Sequence, residues 1–212
     1  MSPLPTNFRD RWQSRKEAEP GQGTIYWHVL MNGHPEVSDL ARQVRKRISG
    51  FPGFHITPDK WLHATILIAG TTSEISRDRM SAMLHHASQT LEDVSPMSVT
   101  LGRVLYHPEA IMLGISPERA LDPIREAVQA STCEVIGSTG QVRNASGIWN
   151  PHVTVAYSTA EQPAGPIISK LGKDLPPRAV RIAAVSLVVQ WGPERLWDWE
   201  PVGAIRLNDQ ER

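Results

Sequence analysis

The chain has 212 residues, 40% of them apolar, and 22 basic side chains against 22 acidic ones. That length and composition suit one large soluble domain with a packed core and exclude a fibrous or disordered chain. Zero net charge excludes an overall positive field for long nucleic acid, and the lone Cys133 excludes an internal disulfide or a cysteine-built zinc cage and fits a reducing compartment, the cytoplasm.

Residues 1–23 are polar, charged and proline-bearing, with no run resembling a signal peptide or membrane span, and read as a mobile arm. TIYWHVLM (24–31) reads as a buried strand. Pro35, at a first helical position, then precedes Val37, Leu40, Val44 and Ile48 on one helix face, and GFPG ends the run. WLHATILIAG (61–70) reads as a half-buried strand, and Ile75, Met80, Met83, Leu84, Ala87 and Leu91 form the stripe of a second helix. The pattern then restarts. SVTLGRVLY and AIMLGI form a hairpin around HPE, and Ser116 and Pro117 open a helix carrying Leu121, Ile124 and Val128. Residues 148–157, IWNPHVTVAY, give the next strand, followed by a short helix over 164–171 ended by Gly172. VRIAAVSLVVQ and LWDWEPVGAIRL close the chain as a hairpin through WGPER. Strands interspersed with helices and hairpins make this an α+β fold, a single bilobal domain over 24–207 with interleaved lobes and a tail at 208–212.

Two strands raise a chemical question. Alternation puts Trp61, His63, Thr65 and Leu67 on one face of the first, with Leu62, Ala64, Ile66 and Ile68 on the other. On the second it puts Asn150, His152, Thr154 and Ala156 opposite Pro151, Val153, Val155 and Tyr157. One such His-x-Thr on an apolar strand is a satisfied core histidine; two, at comparable places in two lobes, point to a site. A neutral imidazole takes a proton from water or a hydroxyl, and a protonated one opposite donates to a leaving oxygen. Two threonine hydroxyls bind non-bridging phosphate oxygens. That set cleaves a strained phosphoester without a metal.

The pair LHATI and PHVTV, with the glycine that ends LHATILIAG, resembles the signature of the two-histidine phosphoesterase superfamily, in particular its RNA ligase-like, cyclic phosphodiesterase branch. The resemblance covers residues 24–207. It implies two pseudo-symmetric lobes of antiparallel sheet plus helices around a central cleft. It implies His63 and His152 as the acid–base pair and Thr65 and Thr154 as phosphate clamps, with no cofactor. It also implies a nucleotide or RNA-end phosphodiester as substrate; the lack of a long apolar run gives no membrane partner, and a monomer is expected. Pseudo-symmetry leaves the two histidines interchangeable until a substrate is oriented; for hydrolysis to a 2′-phosphate the reading leans to His152 as base and His63 as acid. Many relatives carry an Arg five residues after the second histidine, where this chain has Tyr157. Its absence opens smaller cyclic phosphates as substrates, and hydrolysis is favoured over ligation.

Further substrate-binding candidates are Trp61, placed to stack on a base, Tyr157, if the strand twists near its end, and His28, on the first strand. A third triplet, HIT at 55–57, sits between GFPG and Pro58 and reads as loop or the start of a strand. Trp149, Trp197 and Trp199 read as packing, His85 and His86 as a solvated helix edge, and His107 as a hairpin tip. No HExxH, His-Cys cluster or carboxylate-rich loop has metal spacing. The competing hypothesis is a nucleotide- or RNA-end-binding module that uses the same cleft with little turnover.

Overall fold

The computed structural model describes residues 4–13, 15, 17–137 and 149–208. In chain order the strands and helices are β1 (Asn7–Phe8), β2 (Gly23–Leu30), α1 (Pro35–Ile48), β3 (Phe54–Ile56), β4 (His63–Thr71), α2 (Arg77–Thr90), β5 (Met97–His107), β6 (Ala110–Ser116), α3 (Asp122–Ile136), β7 (His152–Ser158), β8 (Gln162–Pro163), α4 (Ala164–Leu171), β9 (Asp174–Ile182), β10 (Ala184–Trp191) and β11 (Trp199–Arg206).

The main sheet runs β11-β10-β2-β4-β7-β6-β5-β9, every pairing antiparallel, with β3 added to β7. The order is symmetric about its centre: β4 answers β7, β2 answers β6, β10 answers β5 and β11 answers β9. The halves meet at one residue pair, Ala64 opposite Val153. These are the two pseudo-symmetric lobes, and the cleft follows the seam between them.

The helices cover the sheet's other face. In α1, Val37, Leu40, Ala41, Val44 and Ile48 are buried at helical spacing behind Pro35. Arg47 of α1 donates to the Leu171 carbonyl at the end of α4 at 2.8 Å, and α2 packs on α3. Each helix pair therefore takes one member from each lobe, which interleaves them. On β2 the core-facing Ile25, Trp27 and Val29 are at most 2% exposed, and the Trp27 indole donates to Thr132 Oγ1 of α3 at 3.0 Å. The sheet is thus pinned to the helix beneath it.

The structure corrects the sequence reading in three places. The helix expected from Ser116 starts at Asp122 with Pro123 in its first turn, because residues 118–121 form turns. The run VRIAAVSLVVQ divides at Ala183: Asp174–Ile182 pairs with β5 at one edge, and Ala184–Trp191 crosses to β2 in the other half. The segment expected as a mobile arm is bound where it is described. Asn7 and Phe8 pair with Pro163 and Gln162, Phe8 is fully buried, and its ring meets Phe54 edge-on at 5.4 Å. One apolar residue among polar neighbours gives no periodicity, so local pattern does not mark the anchor. Ile148, the expected start of a strand, and the tail beyond Asn208 lie outside the described residues.

Candidate active site

His63 and Thr65 on β4 and His152 and Thr154 on β7 line one cleft over the seam. Their strands are held down by apolar residues facing the helices: Leu62, Ala64, Val153 and Val155 are all 0% exposed. The expected alternation holds only up to each threonine. Thr65 pairs with His28 and Leu67 with Trp27, leaving Ile66 without a partner; Thr154 pairs with Met112 and Ala156 with Ile111, leaving Val155 without one. Each is a β-bulge at the residue after the threonine, and a bulge reverses which face later residues take. Leu67 and Ala156 therefore enter the core, whereas Ile68 and Tyr157 line the cleft. All four assignments reverse strict alternation.

Both imidazoles are held the same way. His63 Nδ1 donates to the Trp61 carbonyl at 2.7 Å, and His152 Nδ1 donates to the Asn150 carbonyl at 2.8 Å, each two residues back along the chain. A carbonyl only accepts, so the proton on Nδ1 stays in both charge states and Nε2 alone titrates. Burial pushes His63 down to about 4, against the bond to Trp61, with a smaller push from His152. Burial also lowers His152, and the nearby Arg11 charge adds to that. The free protein thus holds both rings neutral at neutral pH, with a lone pair at each Nε2.

His28 lies behind His63, off the open cleft. It is 1% exposed, its ring centroid is 4.2 Å from that of His63, and it stacks between Tyr26 at 4.9 Å and Trp199 at 5.0 Å. Trp61 does not line the cleft either: it ends a 3-10 turn, packs on Trp199 at 5.2 Å and carries the Lys60 ammonium 4.7 Å from its ring centre. Its carbonyl, rather than its ring, serves the site. Trp199, read as packing, meets His63 edge-on at 4.6 Å. Trp149 lines the cleft beneath the Arg125 guanidinium at 4.9 Å.

Two residues escaped sequence reasoning. Arg11 lies over the Tyr157 ring, 4.3 Å from its centre, and forms a bidentate pair with Glu194 through Nε at 3.0 Å and Nη2 at 2.9 Å. Neither sits in a motif; a basic and aromatic run, FRDRW, was the only signal. Tyr157 itself is 5% exposed, and burial raises it beyond the ordinary tyrosine range.

The third triplet is structural. His55 lies opposite Tyr157 on β3, and its Nε2 accepts from the Trp197 indole at 3.2 Å. Thr57 is fully buried. Among the described residues no three His, Cys, Asp or Glu side chains gather as metal ligands, and no helix is long and apolar enough to cross a membrane.

Comparison with known proteins agrees with this architecture. A family model described as the 2′-5′ RNA ligase superfamily matches residues 34–194. TT0787 of Thermus thermophilus superposes with a TM-score of 0.67 at 18% identity, over 87% of this chain and 97% of that one. LigT of E. coli, solved as a complex with 3′-AMP, gives 0.60 at 14% over 90% and 99%. The PDE domain of MHV ns2 gives 0.57 at 9% over 79% and 99%. At these identities the structural likeness establishes the fold. No curated protein matches by sequence.

Proposed function

The chain belongs to the 2′-5′ RNA ligase superfamily, and from that premise we propose that it is a phosphodiesterase that opens 2′,3′-cyclic phosphates, or related nucleotide and RNA-end phosphodiesters, by acid–base catalysis without a metal. The observation that carries this reading is the matched pair of imidazoles, each with Nδ1 committed to a carbonyl and each beside a threonine on the same cleft.

Water attacks phosphorus as Nε2 of one histidine takes its proton. The P–O bond to one ribose oxygen breaks, and that oxygen takes a proton from Nε2 of the other histidine, leaving a ribose monophosphate. The direction in which the substrate lies decides which histidine takes which role; for release of a 2′-phosphate the reading takes His152 as base and His63 as acid. Burial makes protonated His63 a minority state of the free protein; the negative charge of a bound phosphodiester raises that population and leaves a strong proton donor. Thr65 and Thr154 hydroxyls take the non-bridging oxygens, where charge grows in the transition state.

The direct test is incubation with a panel of 2′,3′-cyclic nucleotides in EDTA, followed by phosphorus NMR. Turnover is expected; nucleotide binding with no turnover across the panel overturns the enzyme reading in favour of a binding module. Thr65→Val and Thr154→Val preserve shape and remove the donor, so each is expected to lower kcat by about 10²–10³-fold, as for a lost oxyanion donor. An unchanged kcat removes that threonine from the clamp.

The pH dependence follows from the two lowered histidines. As pH falls the base is protonated, and as pH rises the acid is lost. Because burial lowers both groups from 6.5, kcat/KM is expected to be a bell with both limbs below about 6.5. Exchanging the two roles leaves the bell's position the same. An alkaline limb well above that value contradicts the assignment.

A further inference from the structure

Cleavage of a phosphodiester anion needs positive charge at the phosphate, and burial keeps both imidazoles neutral in the free protein. Among the described residues four cations line the cleft, Arg11, Arg15, Arg103 and Lys173. Arg15 is taken up by Glu109 at 2.5 Å, and Arg103 approaches Glu118 at 4.0 Å. Arg11 alone among these four is placed against the His152 side of the site. It lies over Tyr157, the cleft-facing residue that follows His152 and Thr154 on β7, and its charge is felt at His152.

The backbone holds Arg11 there. Arg9 N donates to the Pro108 carbonyl at 2.8 Å and Arg11 N to the Ser158 carbonyl at 3.0 Å, while Phe8 is buried below and Trp12 meets Tyr157 edge-on at 5.8 Å. With the centre of the guanidinium over one aromatic face, its N–H groups are left to meet oxygen ligands. One edge is occupied by the Glu194 carboxylate, and Nη1 stands 3.7 Å from Glu109 Oε2. Carboxylate and phosphate present the same bidentate geometry to a guanidinium.

Resting on the phosphodiesterase reading above, we propose that Arg11, carried into the cleft by the N-terminal segment, binds the substrate phosphate, and that Glu194 is a resident carboxylate which the phosphate must displace. Substrate affinity is then set by a contest for one guanidinium.

The contest predicts opposite signs for the two partners. Arg11→Gln is expected to raise KM for adenosine 2′,3′-cyclic phosphate, and the Kd for inorganic phosphate measured by calorimetry, by about tenfold or more, with a smaller change in kcat. Arg11→Lys keeps the charge without the fork and recovers part of the loss. Glu194→Gln frees the guanidinium and is expected to lower both constants severalfold. If Arg11 served only to pin the N-terminal segment, Arg11→Gln and Glu194→Gln would break the same ion pair and move both constants in the same direction. That result, or wild-type constants in Arg11→Gln, overturns the proposal. A wild-type protein that binds phosphate through Arg11 but turns over no cyclic nucleotide sinks the phosphodiesterase reading and leaves this subsite standing. Turnover with wild-type KM in Arg11→Gln does the reverse.

Discussion

Alanine at His63 or His152 is expected to lower kcat on 2′,3′-cyclic nucleotides by about 10²–10⁴-fold, the usual worth of a positioned proton-transfer group. The effect should fall chiefly on kcat, since neither ring carries charge in the free protein and the phosphate is met there by other groups. Each Nδ1 is committed to a carbonyl at 2.7 and 2.8 Å, so the nitrogen whose loss the alanine variant reads is Nε2. Each single variant should also turn the bell into a one-limbed profile, because one titrating group remains. The double variant should lose little more than the worse single one, as groups acting in one step are not additive. Neither change should unfold the chain: both rings are partly exposed to the cleft, and the apolar faces of β4 and β7 are untouched. Thermal unfolding near the wild-type temperature checks that. Wild-type turnover in either variant removes that histidine from the mechanism.

Trp27→Ala is expected to cost about 3–5 kcal/mol, the range for emptying a buried large aromatic site. A typical domain has only about 5–15 kcal/mol to lose. The indole is fully buried, flanked on its sheet face by Leu67 and Leu187 across the two neighbouring strands, and bonded to Thr132 on α3. Removing it leaves a cavity under the strand next to β4 and loosens the sheet from its helix. Thr132 Oγ1 still donates to the Val128 carbonyl at 2.6 Å, so the penalty is a packing penalty. Trp27→Phe should therefore recover most of the loss. Urea midpoints at unchanged m-value measure both variants; a loss below about 1 kcal/mol for alanine contradicts this account.

What could be read from the sequence was what local pattern encodes. Pro35 with its helical stripe, the hairpin around HPE, Gly172 at φ 80 after α4, and the two His-x-Thr strands depend on neighbours within a few residues. What could not be read depends on partners far along the chain. The bulges at Ile66 and Val155 are set by register against β2 and β6, and nothing in HATILI or HVTVAY marks them. The crossing at Ala183 is hidden because β9 runs into β10 through Ile182, Ala183 and Ala184 with no glycine, proline or polar turn residue between them. Arg11 lies 183 residues from Glu194 along the chain and meets both it and Tyr157 only through the fold. The site's chemistry was therefore legible and its electrostatic surroundings were not.

The matched bulges also change how such strands are to be scanned for function. In a regular strand an odd offset from the histidine points to the wrong side. Here one skipped residue shifts the phase, so the cleft positions fall at offsets of zero, two and five: His152, Thr154 and Tyr157 in one lobe, His63, Thr65 and Ile68 in the other. A pattern of the form H-x-T-x-x-z, with z the third functional position, describes both strands in one expression. It also marks Ile68, 41% exposed, as the place where a new substrate-facing group can be written into the chain without touching its core.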